Sequence, residues 1–279
     1  RDYTPLTLIQ VVQGAAVITA VLNLVALWKQ EARQPHVTAH DRPRKPFREA
    51  WAEFRSDRRS GRLLVAVGLG TAGFSMQDVL LEPYGGEILG LSVAATTALT
   101  AILAAGTLLG LFVAARSLQR GWDTHRLAGY GCLVGVFAFA AVIFADPLQS
   151  AALFRAGTFL IGFGGGLFSV GMLLSAMTLS SGEGNGLALG AWGAVQATAM
   201  GTGVLVGGFL RDVMAHLATS GQLGPALTSP SVGYSAVYHL EILLLFATLV
   251  AIGPLVAARP AQTATRKTEM KFGLAEMPS

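Results

Sequence analysis

Long apolar blocks, almost free of Lys, Arg, Asp and Glu, follow one another along this chain, with mostly short polar segments between them. A helix needs about 20 apolar residues to cross a hydrocarbon core about 30 Å thick at about 1.5 Å per residue. Blocks of this length therefore predict membrane-spanning helices. The seven candidate spans are Pro5 to Trp28, Leu63 to Leu81, Ser92 to Ala115, Leu127 to Ala145, Ala156 to Leu179, Gly186 to Leu210 and Ala236 to Ala258.

The composition supports the same interpretation. Hydrophobic residues make up 52% of the 279 residues and charged residues 13%, against about 25% charged residues in soluble domains. These few polar side chains cannot cover a water-soluble globule, which excludes a soluble enzyme. The single cysteine, Cys132, rules out an intrachain disulfide and a cysteine-based zinc site. The chain begins at Arg1 and its first block lacks signal-peptide features, so we expect a piece of a longer protein.

Positive charge is distributed unevenly between the loops, which predicts the orientation of the chain in the membrane. The connector 29–62 holds 10 Lys or Arg residues, the turn 116–126 holds 3, and the tail from Arg259 holds 4. The opposite side has only Arg1, Arg155 and Arg211. Because Lys and Arg are retained on the cytoplasmic side during insertion, the connector, this turn and the tail are predicted to be cytoplasmic.

The connector after the first span combines basic with aromatic residues. Phe47, Trp51 and Phe54 are four and three residues apart, a spacing that places them on one face of a helix. An amphipathic helix on the anionic cytoplasmic leaflet explains both features and makes membrane lipids a predicted partner. A solvated basic linker with local helix is the alternative. No nucleic acid partner is needed to explain a basic segment between two spans.

The order of segments matches the second half of a twelve-helix transporter, preceded by the last helix of its first half. The predicted fold class is an all-α membrane protein with about seven transmembrane helices. The predicted parts are 1–28, the last transmembrane helix of an N-terminal half; 29–62, a basic cytoplasmic connector with an amphipathic helix; 63–258, a six-helix C-terminal transmembrane domain; and 259–279, a cytoplasmic tail.

Several long segments resemble one known family. The second span reads Phe74-Ser-Met-Gln-Asp-Val-Leu-Leu-Glu-Pro-Tyr-Gly-Gly-Glu87, and its portion from Gln77 to Glu87 is similar to the signature of the PucC/LhaA family. The likeness continues in Arg126-Leu-Ala-Gly-Tyr-Gly, in Phe159-Leu-Ile-Gly-Phe-Gly-Gly-Gly and in Gly190-Ala-Trp-Gly-Ala-Val-Gln-Ala-Thr. This family, also called the bacteriochlorophyll delivery family, is a branch of the major facilitator superfamily. The resemblance therefore implies a major-facilitator-like helical bundle.

The resemblance also implies a function. It points to an assembly factor for bacterial light-harvesting antenna complexes that binds antenna polypeptides or the core photosynthetic complex. Bacteriochlorophyll is the pigment it would deliver, and no obligatory cofactor is implied. The implied location is the bacterial inner, intracytoplasmic photosynthetic membrane.

Two other functions stay open. A secondary transporter of a small amphiphile or tetrapyrrole is the main alternative, although Asp78 and Glu241 are the only Asp, Glu, Lys or Arg residues inside the seven spans. A purely structural subunit is the third possibility. No Ser/His/Asp set and no metal-ligand spacing suits a water-excluded pocket, so neither enzyme activity nor a metal site is predicted.

Polar residues cluster at the predicted periplasmic end of the second span. Asp78 and Glu82 are four residues apart and share a helix face, Gln77 is adjacent, and Glu87 follows. A carboxylate at membrane depth costs about 2.5 to 3.5 kcal/mol on insertion scales, so it should face the bundle interior, a cation or a ligand. We predict a pigment- or partner-binding site here. A structural cluster with Arg155 as its cation is the alternative.

The last span contributes two further candidates for pigment or partner binding, His239 and Glu241, which are predicted to lie near its start. Neutral imidazole can ligate a chlorophyll magnesium, but an interfacial histidine is also suited to a plain hydrogen bond. The Arg211-Asp212 pair and His216 are predicted to lie in the preceding periplasmic loop.

Small residues recur at helical spacing in the fifth and sixth spans, and predict close packing between helices. These helix-packing positions are Gly162, Gly166, Gly190, Gly193 and Gly201. A groove of this kind could equally receive a flat chlorin ring. Trp192 and Gln196 stand four residues apart beside the groove of the sixth span, and are the remaining candidates for pigment or partner binding.

Overall fold

A computed structural model of the chain describes residues 5–28, 46–179 and 185–257. Every regular element within these ranges is helical, so the predicted all-α class is confirmed. The α-helices are α1 (Pro5–Trp28), α2 (Phe47–Ser56), α3 (Arg58–Ser75), α4 (Leu81–Glu87), α5 (Val93–Gln119), α6 (Thr124–Ala145), α7 (Ala151–Leu179), α8 (Asn185–Thr219) and α9 (Ser231–Ala257). A 3₁₀ turn at Met76–Val79 connects α3 to α4.

Six described segments are long and apolar enough to cross a membrane. They are the α3–α4 segment and the helices α5, α6, α7, α8 and α9. The helix α1 has 24 residues and is apolar from Val12 to Val25. The chain is therefore a multi-pass membrane protein. The described residues fall into two units, one holding 5–28 and the other holding 46–179 and 185–257, and the site described below lies in the second.

Helices α7, α8 and α9 extend well beyond the predicted spans, and the spans that match α7 and α8 had been ended at a charged residue. Helix α7 includes Arg155, and α8 continues through Arg211, Asp212 and His216, which are helical rather than in a loop as predicted. Helix ends tolerate such charges because their side chains reach polar surroundings or partners. Helix α9 begins at Ser231, before the predicted Ala236, so Glu241 lies well inside the helix and not near its start.

Glycines bring α7 into backbone contact with both of its main neighbours, α5 and α6. A Cβ atom at Gly166 would lie 2.7 Å from the carbonyl oxygen of Thr107 in α5, and one at Gly164 would lie 2.7 Å from that of Gly131 in α6. Gly162 approaches α5 in the same way, at Leu103. Only glycine allows helices to approach this closely, because any side chain would overlap the facing backbone.

Helix α8 uses different glycines from those predicted to pack. Gly207 faces the backbone of Met76, and a Cβ atom there would lie 2.9 Å from its carbonyl oxygen. At Gly190, Gly193 and Gly201 an added Cβ would meet no other atom of the described chain within 4 Å. The close contact of α8 with the α3–α4 segment therefore lies nearer the C-terminal end of α8.

The described part of the connector forms the short helix α2. Its rings stack in sequence, with centroids 6.2 Å apart for Phe47 and Trp51 and 5.8 Å apart for Trp51 and Phe54. Asp57 then accepts hydrogen bonds from the backbone amides of Arg59 and Ser60 and so caps the start of α3. The rest of the predicted connector, residues 29–45, and the predicted tail, 259–279, lie outside the described residues.

Candidate functional site

The candidate site forms where the second span is interrupted. Helix α3 ends at Ser75, and the chain passes through the 3₁₀ turn before α4 begins at Leu81. The backbone amide of Gln77, in this turn, donates a 2.8 Å hydrogen bond to Oε1 of Glu241 on α9. A backbone amide inside a membrane must find a partner within the protein. The carboxyl group of Glu241 therefore stabilises the interrupted conformation.

The side chain of Gln77 organises the polar face of the turn. Its Nε2 donates to the carbonyl oxygen of Phe74 at 3.2 Å and to Oδ1 of Asp78. Gln77 is 2% exposed, and its Oε1 is buried without a hydrogen-bond partner in the described chain. One acceptor is therefore left unused beside the carboxylate of Asp78.

A cavity of about 180 Å³ opens beside this turn. Four spans line it: the α3–α4 segment, α5, α7 and α8. Phe74 and Phe168 supply aromatic surface, with ring centroids 5.7 Å apart, while Gln77, Asp78 and Gln196 supply polar groups. An apolar cavity with a few convergent polar groups is the usual form of a small-molecule site.

Glu241 lies behind the turn and is 0% exposed. Its Oε1 accepts the Gln77 amide hydrogen bond, whereas its Oε2 is buried and has no hydrogen-bond partner among the described residues. The hydroxyl of Tyr238, one helical turn away on α9, is also buried without a partner there. The ring of Tyr238 packs against Tyr84 and Phe139 at centroid distances of 5.7 and 6.2 Å.

A second polar cluster closes the end of the bundle that is predicted to be periplasmic. Arg211 of α8 forms an ion pair with Glu87 of α4, and both side chains hydrogen-bond to the hydroxyl of Tyr234. The Arg211 guanidinium also lies 4.5 Å from the centre of the Tyr234 ring. The cation of this cluster is thus Arg211, while Arg155, predicted for that role, has no ion pair with any described residue.

The structure distributes the predicted site residues over three places. Gln77, Asp78 and Gln196 line the cavity, and Glu241 supports it from behind. Trp192 packs against the core, and its buried Nε1 has no partner in the described chain. The other two predicted residues, Glu82 and His239, make their hydrogen bonds away from the cavity. Glu82 accepts a 2.7 Å hydrogen bond from Thr100, and His239 contacts the carbonyl oxygen of Ser235 at 2.6 Å.

Sequence reasoning missed the aromatic walls of the cavity and the link between Arg211, Glu87 and Tyr234. The only available signal for that link was an arginine following a long uncharged stretch, because such a residue requires a partner. Phe74 and Phe168 gave no signal, since aromatic residues are common at lipid-facing and buried positions alike.

Comparison with known proteins identifies the family. The model of the family described as "PUCC protein" matches residues 1–260 of the chain. The chain belongs to the PucC family. This confirms the resemblance seen in the segment from Gln77 to Glu87 and in the later segments.

Curated relatives of this PucC family chain come from photosynthetic bacteria. A Rhodobacter capsulatus protein, described as an uncharacterized protein in the puhA-bchM intergenic region, is 49% identical over 100% of this chain and 59% of its own length. Protein PucC of Rhodovulum sulfidophilum is 51% identical over 77% of the chain and 48% of its own length. The bacteriochlorophyll synthase 44.5 kDa chain of Rhodobacter capsulatus is 33% identical over 76% of the chain and 50% of its own length. The chain thus spans about half the length of the relatives it matches.

Proposed function

We propose that the chain belongs to an assembly factor for bacterial light-harvesting complexes, embedded in the intracytoplasmic photosynthetic membrane. In this role it binds antenna polypeptides or core photosynthetic subunits from within the bilayer and passes bacteriochlorophyll to them without catalysing a reaction. The observation that supports this function most directly is the cavity beside the interrupted span, which combines aromatic walls with Gln77 and Asp78. Membership in the PucC family, with a relative named for bacteriochlorophyll synthesis, gives the ligand class.

The groups that line the cavity suit one edge of a chlorin pigment, because a cavity of about 180 Å³ is smaller than a whole drug-sized ligand fills. A flat, apolar macrocycle gains contact with the Phe74 and Phe168 rings, while its carbonyl and ester groups need donors and its magnesium needs an oxygen or nitrogen ligand. The Asp78 carboxylate offers an oxygen of the kind that magnesium accepts at the cavity wall, and Gln77 lines the same wall. The four spans of the cavity wall then position the pigment beside a neighbouring membrane protein.

The direct test is purification of the tagged chain from photosynthetic membranes, with measurement of chlorin absorbance and of co-purifying antenna subunits. We expect both to accompany the unsubstituted chain. Loss of one charge-assisted contact in Asp78→Asn should lower the chlorin to protein ratio about tenfold or more. Asp212→Asn is the matched control, because Asp212 is exposed on α8 and outside the cavity.

A negative outcome is equally specific. Preparations that contain neither chlorin nor antenna subunits, at normal yield of folded chain, would reject the proposal. Equal chlorin content in Asp78→Asn, Asp212→Asn and the unsubstituted chain would show that the cavity is not the pigment-binding site.

The interrupted span also supports transport of a small amphiphile or tetrapyrrole as a second candidate function. Discontinuous helices and carboxyl groups buried between spans are typical of substrate sites in secondary transporters. Uptake of a fluorescent tetrapyrrole by proteoliposomes, abolished in Asp78→Asn and retained in Asp212→Asn, would favour transport over assembly.

A further inference from the structure

Glu241 is the most enclosed acidic residue of the described chain, and its surroundings define its chemical state. It is 0% exposed, and only one of its two carboxyl oxygens has a hydrogen-bond partner, the amide of Gln77. An isolated carboxylate buried in low dielectric costs far more than a neutral carboxyl group, unless a cation and several donors surround it. The arrangement around Glu241 supplies one donor and no described cation.

The neighbours of Glu241 add no positive charge: Asp78 is acidic, and the tyrosines near it are neutral at neutral pH. Asp78 of the 3₁₀ turn and Tyr238 of α9 are the titratable groups that interact with it, and Tyr84 and Tyr234 lie beyond Tyr238. The charged or imidazole side chains of the helices packed against α9 stand near the ends of those helices: Arg58, Arg59 and Arg62 of α3, His125 and Arg126 of α6, and Arg211, Asp212 and His216 of α8. Of these, Arg211 pairs with Glu87 and Asp212. His239 of α9 contacts the carbonyl oxygen of Ser235.

We propose that Glu241 is a proton-binding site: the folded chain holds a proton on its free oxygen, Oε2, at neutral pH, while Oε1 accepts the amide of Gln77. The neutral carboxyl group keeps α9 in contact with the interrupted span. Loss of the proton places an uncompensated charge between α9 and the turn that carries Gln77 and Asp78. The proton therefore stabilises the geometry of the cavity wall. This inference does not depend on which ligand the cavity binds.

Infrared spectroscopy of the purified chain in nanodiscs tests the assignment directly, because a protonated carboxyl group has a C=O stretch separate from that of a carboxylate. At neutral pH we expect this band in the unsubstituted chain and its loss in Glu241→Gln. Glutamine keeps the acceptor for the Gln77 amide and supplies a donor in place of the O–H, so the variant is expected to fold. Asp212→Asn is the control and should keep the band, because Asp212 is exposed and lies outside the surroundings of Glu241.

Three results would overturn the assignment. These are absence of the band from the unsubstituted chain, its retention in Glu241→Gln, and its loss in Asp212→Asn. A carboxylate signal that responds to added sodium ions would instead assign a metal cation to Oε2.

A second measurement detects the bound proton through the pH dependence of the folding stability. Above the titration range of a free glutamic acid, about pH 4.3, the unfolded state has released the proton that folded Glu241 retains. Folding stability must then fall as pH rises, and the unfolding constant should increase about tenfold per pH unit relative to that of Glu241→Gln. Reversible unfolding in mixed detergent micelles gives both curves. Parallel curves would contradict the proposal.

Discussion

At the scale of single residues, the ionisable groups of the membrane domain differ in the partners that surround them. Arg211 has a strong anionic partner in Glu87 and a hydroxyl partner in Tyr234, so this cluster can remain ionised near the end of the bundle. Glu241 has one amide donor deep inside it. Glu87 and Glu241 therefore have opposite roles, although both lie in apolar sequence. Glu87 forms a charged contact between two spans, and Glu241 is a neutral group that stabilises the interrupted span.

The cluster around Arg211 predicts a graded loss of stability. Tyr234→Phe removes one hydroxyl and should cost about 1 kcal/mol. Arg211→Met should cost about 2 kcal/mol, because it leaves Glu87 and the Tyr234 hydroxyl without their cation. Unfolding in mixed micelles measures both differences. Asp212→Asn, at an exposed partner of the same arginine, should stay within about 0.5 kcal/mol, and an equal loss there would show that Glu87 is not the main partner.

At the scale of helices, close approach depends on which face of each helix carries glycine. Gly166 lies against the α5 backbone, whereas Gly190 in α8 meets no atom of the described chain within 4 Å. Similar small-residue spacing in sequence therefore has different structural consequences. The difference arises because only some glycine faces meet another helix in the described chain.

Alanine substitution should separate these two positions. Gly166→Ala places a methyl group 2.7 Å from the Thr107 carbonyl oxygen, and such overpacking should destabilise by about 1 to 3 kcal/mol. Gly190→Ala should stabilise by up to about 1 kcal/mol, the helix preference for alanine over glycine. Thermal unfolding monitored by circular dichroism provides the comparison. Equal effects of the two substitutions would contradict the packing described for α7.

The start of α3 depends on its cap. Partial burial raises the pKa of Asp57, but hydrogen bonds from Ser60 and from the amides of Arg59 and Ser60 outweigh it, and the net pKa lies below its usual value. A lowered pKa means that the cap contributes stability above the unfolded-state pKa of about 3.9 and loses it as pH falls. Asp57→Ala should therefore cost about 1 kcal/mol at neutral pH.

Asparagine provides the matched variant for this cap, because Asp57→Asn keeps an oxygen acceptor and removes the titration. Its stability at neutral pH should approach that of the unsubstituted chain, and the acid-induced loss attributable to the cap should disappear. Unfolding curves at neutral and acidic pH test both points. An alanine variant with unchanged stability would show that α3 does not need the cap.

At the scale of the whole molecule, the charge bias predicts which ends of the bundle face the cytoplasm. Cys132 is the single cysteine and is buried, so one introduced cysteine can report the side of each loop. Gln119→Cys, at the end of α5, should be protected from a membrane-impermeant maleimide in intact cells, and Ser220→Cys, after α8, should be labelled. Labelling of both after permeabilisation is the control. The reverse pattern would overturn the orientation.

Composition and the length of the apolar blocks were sufficient for the helical class and the approximate positions of the long helices. Segments such as Ser92 to Ala115 and Leu127 to Ala145 are uncharged and sized to the bilayer, and each lies within a helix of the structure apart from Ser92, which caps α5. Lipid imposes this relation directly, because every backbone group in the hydrocarbon must be satisfied within a helix. The ends were less predictable, since helices continue past charges such as Arg155 and Arg211 that have access to polar groups.

The composition of the candidate site was only partly predictable. Gln77 and Asp78 stood out because polar residues are costly inside a span, and both line the cavity. Phe74 and Phe168 did not stand out, because their role comes from the positions of α3 and α7 relative to each other. Glu82 and His239 were predicted by the same polarity argument, yet both make their hydrogen bonds outside the cavity, Glu82 with Thr100 of α5 and His239 with Ser235 of its own helix.

The sequence by itself determined the class of this protein: helices of bilayer length, almost free of charge, with positive residues concentrated on one side. Only the tertiary structure decided the interruption after Ser75, the contact of Gln77 with Glu241 across 164 residues, and the tie between Glu87 and Arg211 across 124. The physical reason is that burial in lipid constrains the composition of each segment separately, so that it is visible as an apolar block in the local sequence. A hydrogen bond between distant segments exists only once packing has brought them together.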